Sequence, residues 1–137
     1  MIVLNKLHHS DQQWSELARI EDDGPVYMTN LFKFREHAEY PDGRETDLTG
    51  IEAYQLYGAQ TSKHVASIGG RVLHSSQIIG LVVGNVEELW DAVAIVEYPS
   101  IKAFMNMVDS DEWHEHAIHR EAGLAGQLNI ISRTPPA

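Results

Sequence analysis

The sequence predicts one α+β domain, in which strand, helix, strand, strand, helix and strand follow one another behind an extra helix. Its 137 residues, taken here as a single domain over 1–137, suit this size class, since domains commonly hold roughly 100–150 residues. Apolar residues make up 43% and charged residues 22% of the chain, which is the usual globular mixture. Segments of strand-like and helix-like periodicity then alternate between turn residues.

The chain begins with a helical extension over residues 1–24, ahead of a core over residues 25–133. Ser10 and Gln13 have the spacing of a capping box, in which each side chain bonds a backbone N–H at the start of a helix. Apolar residues recur at helical spacing after this box, and an Asp-Asp-Gly-Pro run ends the pattern. We therefore predict a short amphipathic helix over residues 10–20.

The first half of the core is predicted as a strand, a long loop and a helix. Residues 25–34 are rich in β-branched and aromatic residues, which favour strands. Residues 35–48 hold a Pro-Asp-Gly turn and many carboxylates, so we predict an exposed loop there; loops of this length often serve as lids. Thr49 and Glu52 form a second capping box, and the helix that they start ends at the glycine pair 69–70.

The second half repeats the order with strands before and after a helical segment. Residues 71–83 are predicted as one long strand with a bulge at Gly80, and residues 91–98 as the next strand. A helix is expected to open at residues 99–100, to restart at a cap within residues 109–112 and to run to about residue 123, and the last strand is expected over residues 126–133. Two βαβ units in tandem give a ferredoxin-like βαββαβ fold. Its right-handed crossovers place both helices on one face of a four-stranded antiparallel sheet.

The other face of that sheet is also apolar, and this predicts a homodimer. In the strand over 91–98, Val93 and Ile95 point away from Ala94 and Val96, because side chains alternate along a strand. A large exposed apolar face is unusual for a monomer, and pairing two sheets with two-fold symmetry removes it from water. In the alternative, the N-terminal helix or the loop over 35–48 covers this face within one chain.

Composition excludes several classes of function. The formal net charge is −10 and basic residues are scattered, which opposes binding to nucleic acid or to anionic membranes. No apolar run approaches the ~18 residues that a membrane span needs. The chain has no cysteine, which excludes disulfides and cysteine-bound metals and suits a cytoplasmic protein. No nucleophile elbow, Walker A loop or dinucleotide fingerprint is present, so we expect no cofactor.

Polar residues within apolar elements are the candidate ligand-binding residues, because burying one without a partner costs roughly 1–3 kcal/mol. An arginine could hold a carboxylate, the asparagine and tyrosines could donate hydrogen bonds, and Glu97 could act as a base. The alternative for each residue is a buried ion pair that only ties strand ends to a helix. The candidates are Asn30, Tyr54, Tyr57, Arg71, His74, Asp91, Glu97 and Arg120.

The segment over residues 112–119 raises a metal hypothesis. His116 and His119 lie three residues apart and share a helix face with Glu112. A zinc or iron site needs three or four converging ligands, and no H-E-x-x-H pattern is present. We therefore interpret these residues as a solvated helix face and expect no metal.

The chain also resembles a known family. The fragments MTNLFKF, TGIEAYQLYG, GGRVL, WDAVAIVEYPSIKAF and HREAGL together resemble the family called domain of unknown function 1330, of the dimeric α/β barrel superfamily. The resemblance covers residues 25–132, with the helix over 10–20 and the loop over 35–48 as departures. It implies a ferredoxin-like protomer and a barrel formed across a dimer. It does not imply an activity, because the superfamily includes cofactor-independent monooxygenases, lactone isomerases and haem enzymes.

Three functions are compatible with these observations. The leading hypothesis is a homodimer that binds or converts a small organic molecule, near the sheet and the dimer interface, without a tightly bound cofactor. Conversion would then be proton transfer or oxygenation, by analogy with the superfamily. The second is a binding or scaffold module without catalysis. The third is a metal-dependent enzyme that uses the cluster over residues 112–119.

Overall fold

The computed structural model describes residues 2–136, and within them it contains four strands and four helices. The order of the elements agrees with the sequence prediction, and the second helical segment is divided at Ser110, within the predicted restart. In chain order the elements are α1 (Asp11–Arg19), β1 (Val26–Phe34), α2 (Gly50–Ser67), β2 (Arg71–Gln77), β3 (Ala92–Tyr98), α3 (Ile101–Asp109), α4 (Asp111–Gly123) and β4 (Leu124–Ser132).

The four strands form one antiparallel sheet in the order β2-β3-β1-β4. This is the arrangement predicted for two βαβ units in tandem, and it confirms the ferredoxin-like fold. In the middle of the sheet, Asn30 of β1 lies opposite Ala94 of β3 and opposite Asn129 of β4. These pairings fix which side chains share a face, since directly opposite residues point to the same side.

The helices cover one face of the sheet and bury its central apolar residues. Val26 and Met28 of β1 pack with Val65 of α2 and Ile101 of α3 in the largest core cluster. Each helix begins at a side-chain cap, as predicted from sequence. Ser10 and Thr49 complete their capping boxes, and Ser110 caps α4 by accepting from the Trp113 N–H.

The loop over residues 35–48 is mostly exposed, as the sequence predicts, but two of its side chains are buried. Ala38 and Tyr40 are buried against Ala53 of α2 and Ala122 of α4. The Ala38 N–H donates to the carbonyl of Leu48, and the Glu39 N–H donates to that of Ala122. Sequence did not predict this burial, because it depends on these backbone bonds and on two small helix residues that let part of the loop pack on α2 and α4.

The strand predicted over residues 71–83 is also wrong in its length. β2 ends at Gln77, and its bulge lies between Val72 and His74 instead of at Gly80. The last bond between the two strands runs from the Ile78 N–H to the Asp91 carbonyl. β3 starts just beyond this point, so the residues that follow Ile78 have no strand to pair with in their own chain.

The second face of the sheet stays open. Tyr27, Leu31, Val93 and Ile95 point to this side, as their pairing requires, and Ile130 on β4 is 51% exposed. Trp14 and Leu17 of α1 pack on the helix-covered core, and the loop over 35–48 lies on the helix side as well. The alternative in which either segment covers the open face is therefore wrong.

Within the described residues, no helix combines the length and the apolar character that a membrane crossing requires.

Candidate functional site

The candidate site is built where the start of α2 meets the end of α4. A Cβ atom added to Gly50 would lie 2.0 Å from the Arg35 carbonyl oxygen, and one added to Gly123 would lie 2.4 Å from the Gly50 carbonyl oxygen. Backbone atoms cannot yield at such distances, so both positions require glycine. This close approach sets Arg120, one turn before the end of α4, beside Tyr54, one turn into α2.

Arg120 is a largely buried charge without an ion-pair partner among residues 2–136. Its side chain is 8% exposed, and its guanidinium group takes no part in any hydrogen bond or ion pair with residues 2–136. Arginine stays protonated in proteins and offers five N–H donors. Buried charges are ordinarily paired, so this arginine needs an explanation. The same holds for Arg35 Nε, His64 Nδ1 and His116 Nε2, which are buried without a hydrogen-bond partner in the described part of the chain.

Aromatic rings cluster around Tyr54, the neighbour of Arg120. The Tyr54 ring lies 4.8 Å from that of Phe32, 5.5 Å from that of Phe34 and 5.4 Å from that of Tyr57, measured between centroids. Burial raises the pKa of Tyr54 well above its usual value, with Tyr57 acting in the same direction and Arg120 against it. Tyr54 is therefore a neutral hydroxyl donor at physiological pH.

Tyr57 and Tyr98 add two more hydroxyl groups to this interior. Trp113 of α4 donates from Nε1 to the Tyr57 hydroxyl oxygen at 3.2 Å. Since the indole N–H is a donor only, the hydrogen of the Tyr57 hydroxyl must point to another group. Burial, followed by the charge of Tyr57, raises the pKa of Tyr98, so this hydroxyl also stays protonated.

A row of small and polar residues crosses the helix-facing side of the sheet. Ser75, Ala94, Asn30 and Asn129 lie opposite one another on successive strands. The Asn30 side-chain amide donates to the carbonyls of Met28 and Ala94, both at 3.3 Å, which leaves its carbonyl oxygen as an acceptor. Asn30 is half-buried, whereas its neighbours Met28 and Phe32 are fully buried. The middle of the sheet is therefore less tightly filled than the rows beside it.

Four of the predicted candidates lie elsewhere. Arg71 and Glu97 face each other across β2 and β3 on the open face, with Nε and Oε2 at 2.8 Å. His74 lies on the same open face and its Nε2 is 2.9 Å from the Ser76 hydroxyl. The Asp91 carboxylate accepts from the Phe34 N–H at 2.8 Å and ties two strand ends together. The sheet thus separates Glu97 and the other open-face candidates from Arg120.

The histidines of α4 border a different region. Burial, then the charge of His64, lowers the pKa of His116, and the rings of these two histidines are 6.0 Å apart. The His119 Nδ1 lies 2.7 Å from the Tyr40 hydroxyl. No three metal-ligating side chains among residues 2–136 come close enough to hold an ion. An open cleft of about 440 Å³ outside the helices is lined by Leu56, Gln60, Glu112, Glu115, His116 and His119.

Sequence reasoning missed three residues of this region. Trp113 and Tyr98 contribute to the interior, and His64 is buried against α4. Tyr98 shares a strand face with Ala94 and Val96, which is a signal that could have identified it. For Trp113 and His64 the sequence carries no such signal, because their contacts join separate helices.

Comparison with known proteins points to one family. The family described as "Domain of unknown function (DUF1330)" has a model that matches residues 44–134. No curated protein sequence matches the chain. A solved structure of the RPA0582 protein of unknown function from Rhodopseudomonas palustris is similar to the chain, with 30% identity, a TM-score of 0.84 and coverage of 98% of this chain and 100% of that one. A methylated form gives 32% identity, a TM-score of 0.86 and 96% coverage of both chains.

More distant structures share the fold alone. SnoaB, a cofactor-independent oxygenase from Streptomyces nogalater, has 14% identity and a TM-score of 0.52, with coverage of 84% of this chain and 97% of that one. A dimeric ferredoxin-like protein of unknown function from Thermobifida fusca has 15% identity and a TM-score of 0.50, with coverage of 81% and 92%.

Proposed function

We propose that this chain, which belongs to the family described as "Domain of unknown function (DUF1330)", binds a small organic anion between its sheet and its helices. The observation that carries this proposal is the largely buried Arg120, for which the described residues supply no ion-pair partner. An unpaired charge inside a protein costs several kcal/mol. A ligand that brings a negative charge removes this penalty, and a carboxylate fits the guanidinium group in a bidentate geometry.

The surroundings of Arg120 support a planar, carboxylate-bearing ligand. The rings of Phe34 and Tyr54 are half-buried and offer apolar faces on which a flat ring can stack. The Tyr57 hydroxyl keeps a hydrogen to donate because Trp113 occupies its oxygen as a donor. Asn30 offers a carbonyl oxygen to a ligand hydroxyl or amide. These residues thus offer four kinds of contact to a ligand, and none of the four requires a tightly bound cofactor. The chemistry of the ligand decides whether a reaction follows binding.

We also propose that the protein acts as a homodimer, paired through the open face of the sheet. Leu31, Val93, Ile95 and Ile130 form an apolar surface there that residues 2–136 do not cover. The Thermobifida fusca protein with the same fold is dimeric. The cytoplasmic location expected from the cysteine-free sequence belongs to this proposal as well and stays a prediction.

A thermal-shift screen of aromatic carboxylates against Arg120→Met tests the ligand proposal. A ligand at one hundred times its Kd stabilises the wild type by about 2.7 kcal/mol, and we expect the variant to lose this shift. The variant itself should unfold no more easily than the wild type, because methionine fills a similar volume and removes an unpaired charge. Lys102→Met, on an exposed residue of α3, is the matched control and should keep the shift.

The result decides between binding and a purely structural role. If Arg120→Met lowers the free energy of unfolding by more than about 2 kcal/mol and no carboxylate stabilises the wild type, Arg120 supports the fold alone. The scaffold interpretation would then replace the proposed function.

A further inference from the structure

Residues 79–83 form an apolar arm that the rest of residues 2–136 leaves uncovered. Ile79, Val82 and Val83 are 93%, 98% and 86% exposed, and Leu81 is 48% exposed. Single exposed apolar side chains are normal, whereas a continuous run of them marks an interaction site. The arm has the character of a surface that another molecule covers.

The backbone of the arm is also without partners. β2 and β3 stay paired as far as the bond from the Ile78 N–H to the Asp91 carbonyl, and no backbone group of residues 79–83 bonds within residues 2–136. Isoleucine and valine favour strands, which is why the sequence predicts a strand through residue 83. The arm therefore has the composition of a strand but lacks a strand beside it.

The arm is tethered on both sides. At the first end of the arm, the Ile78 N–H is bonded to β3. Beyond the second end, Lys33 Nζ donates to the Leu89 carbonyl at 2.9 Å and lies 2.8 Å from the Glu88 carboxylate. The Trp90 indole donates to the Asn5 side-chain oxygen at 2.6 Å. The arm is thus a short exposed loop between anchored ends, which limits the entropy lost when it pairs with another surface.

The arm is continuous with the open face of the sheet. Ser76, Val93, Leu31 and Leu128 lie opposite one another on successive strands and form the apolar end of that face. The arm leaves β2 directly after this row. Residues 79–83 carry no charge, so two copies, each of formal net charge −10, can meet there without opposing carboxylates.

We propose that the arm packs in strand conformation against a second copy of this chain and extends the dimer interface beyond the sheet. This inference rests on the homodimer of the proposed function. Two-fold symmetry then supplies two such arms to each dimer. Exposed apolar side chains and unpaired strand edges are the features that strand addition between chains uses.

Val82→Ser with Val83→Ser tests the arm by sedimentation equilibrium. Val82 and Val83 point to opposite sides of a strand, so one valine of each arm faces the partner, and the loss of these two buried valines per dimer should raise the dimer Kd by about a hundredfold. Ile2→Ser with Leu4→Ser is the matched control, since these side chains are 87% and 66% exposed and lie outside the arm. Its Kd should stay within about twofold of the wild type.

Ile130→Asp, on the open face, separates this inference from the homodimer itself. If the wild type dimerises and Ile130→Asp dissociates it while the double valine variant keeps the wild-type Kd, the arm inference is overturned and the homodimer stands. If the wild type sediments as single protomers, both are overturned. Hydrogen exchange gives a second readout: amides 80–83 should exchange slowly in the dimer and quickly after dilution, and fast exchange in the dimer contradicts the arm.

Discussion

Arg120 and Tyr54 between the helices and the sheet, and His116 beside the outer cleft, have different charge states, and each follows from its surroundings. Arg120 keeps its positive charge although it is buried. Tyr54 stays neutral because burial raises its pKa. His116 is neutral at physiological pH because burial and the nearby His64 lower its pKa. The interior thus holds one permanent positive charge among neutral groups, and a single anionic group of a ligand is enough to balance it.

His116 predicts a loss of stability at acidic pH. Its pKa is lowered in the folded protein, so the unfolded chain takes up the proton first when the pH falls below about 6.5. The contribution of neutral His116 is therefore present above that pH and is lost as the pH falls through the folded value. We expect urea unfolding to show a smaller decline between pH 7 and pH 5 in His116→Gln than in the wild type.

The groups around His116 define the control for this experiment. His64 and His119 oppose its proton, whereas Glu112 and Glu115 favour it. His114→Gln, on the exposed side of the same helix, should decline with pH as the wild type does. An equal decline in His116→Gln and the wild type would contradict a role for His116.

At the scale of elements, two glycines decide how the site is assembled. Helix α2 begins and helix α4 ends at positions where only hydrogen fits between the backbones. The loop over 35–48 then packs on the same two helices through Ala38 and Tyr40. The contact between the two helices, and with it the position of Arg120 beside Tyr54, depends on small residues on both sides.

Gly123→Ala should destabilise the fold by about 3 kcal/mol or more. The added Cβ would lie 2.4 Å from the Gly50 carbonyl oxygen and 2.8 Å from the Tyr54 backbone nitrogen, and neither backbone atom can move without the helix. Gly58→Ala in α2 is the matched control. A Cβ at Gly58 meets no atom within 4 Å, so this change should stabilise by roughly 0.5–1 kcal/mol. Equal effects in urea unfolding would contradict the close contact.

At the scale of the whole molecule, the two faces of the sheet have separate roles in the proposed function. The helix-covered face carries Asn30 and the residues around Arg120, while the open face carries the apolar surface and the Arg71–Glu97 pair. In the homodimer that we propose, the ligand site lies within each protomer and the interface lies on the opposite side of the sheet. Substitutions on one face should therefore leave the function of the other intact.

The homodimer predicts that thermal stability depends on protein concentration. Each tenfold increase in concentration should stabilise the folded dimer by about 1.4 kcal/mol, because unfolding releases two chains. Differential scanning calorimetry over a hundredfold range of concentration measures this as a rising Tm. The same series on Ile130→Asp should give a constant Tm if that variant is a folded protomer. A constant wild-type Tm over the whole range would contradict the homodimer.

The candidate site could be predicted from the sequence only in part. Tyr54, Tyr57 and Arg120 were recognisable as polar groups in apolar helices, and the structure brings them together. Glu97 was equally recognisable, but it lies across the sheet from Arg120 because strand residues of opposite parity face opposite sides. Trp113 was not recognisable, since its hydrogen bond joins residues 56 positions apart.

By itself the sequence determined the helices, their capping residues, the order of the elements and the two apolar faces of the sheet. These depend on side-chain periodicity and on hydrogen bonds between residues three or four positions apart. Only the tertiary structure decided that β2 ends at Gln77, that Ala38 and Tyr40 are buried, and that Arg120 has no ion-pair partner in the part of the chain that the structure describes. Each of these depends on contacts between segments distant in the chain, and such contacts are set by packing instead of by local pattern.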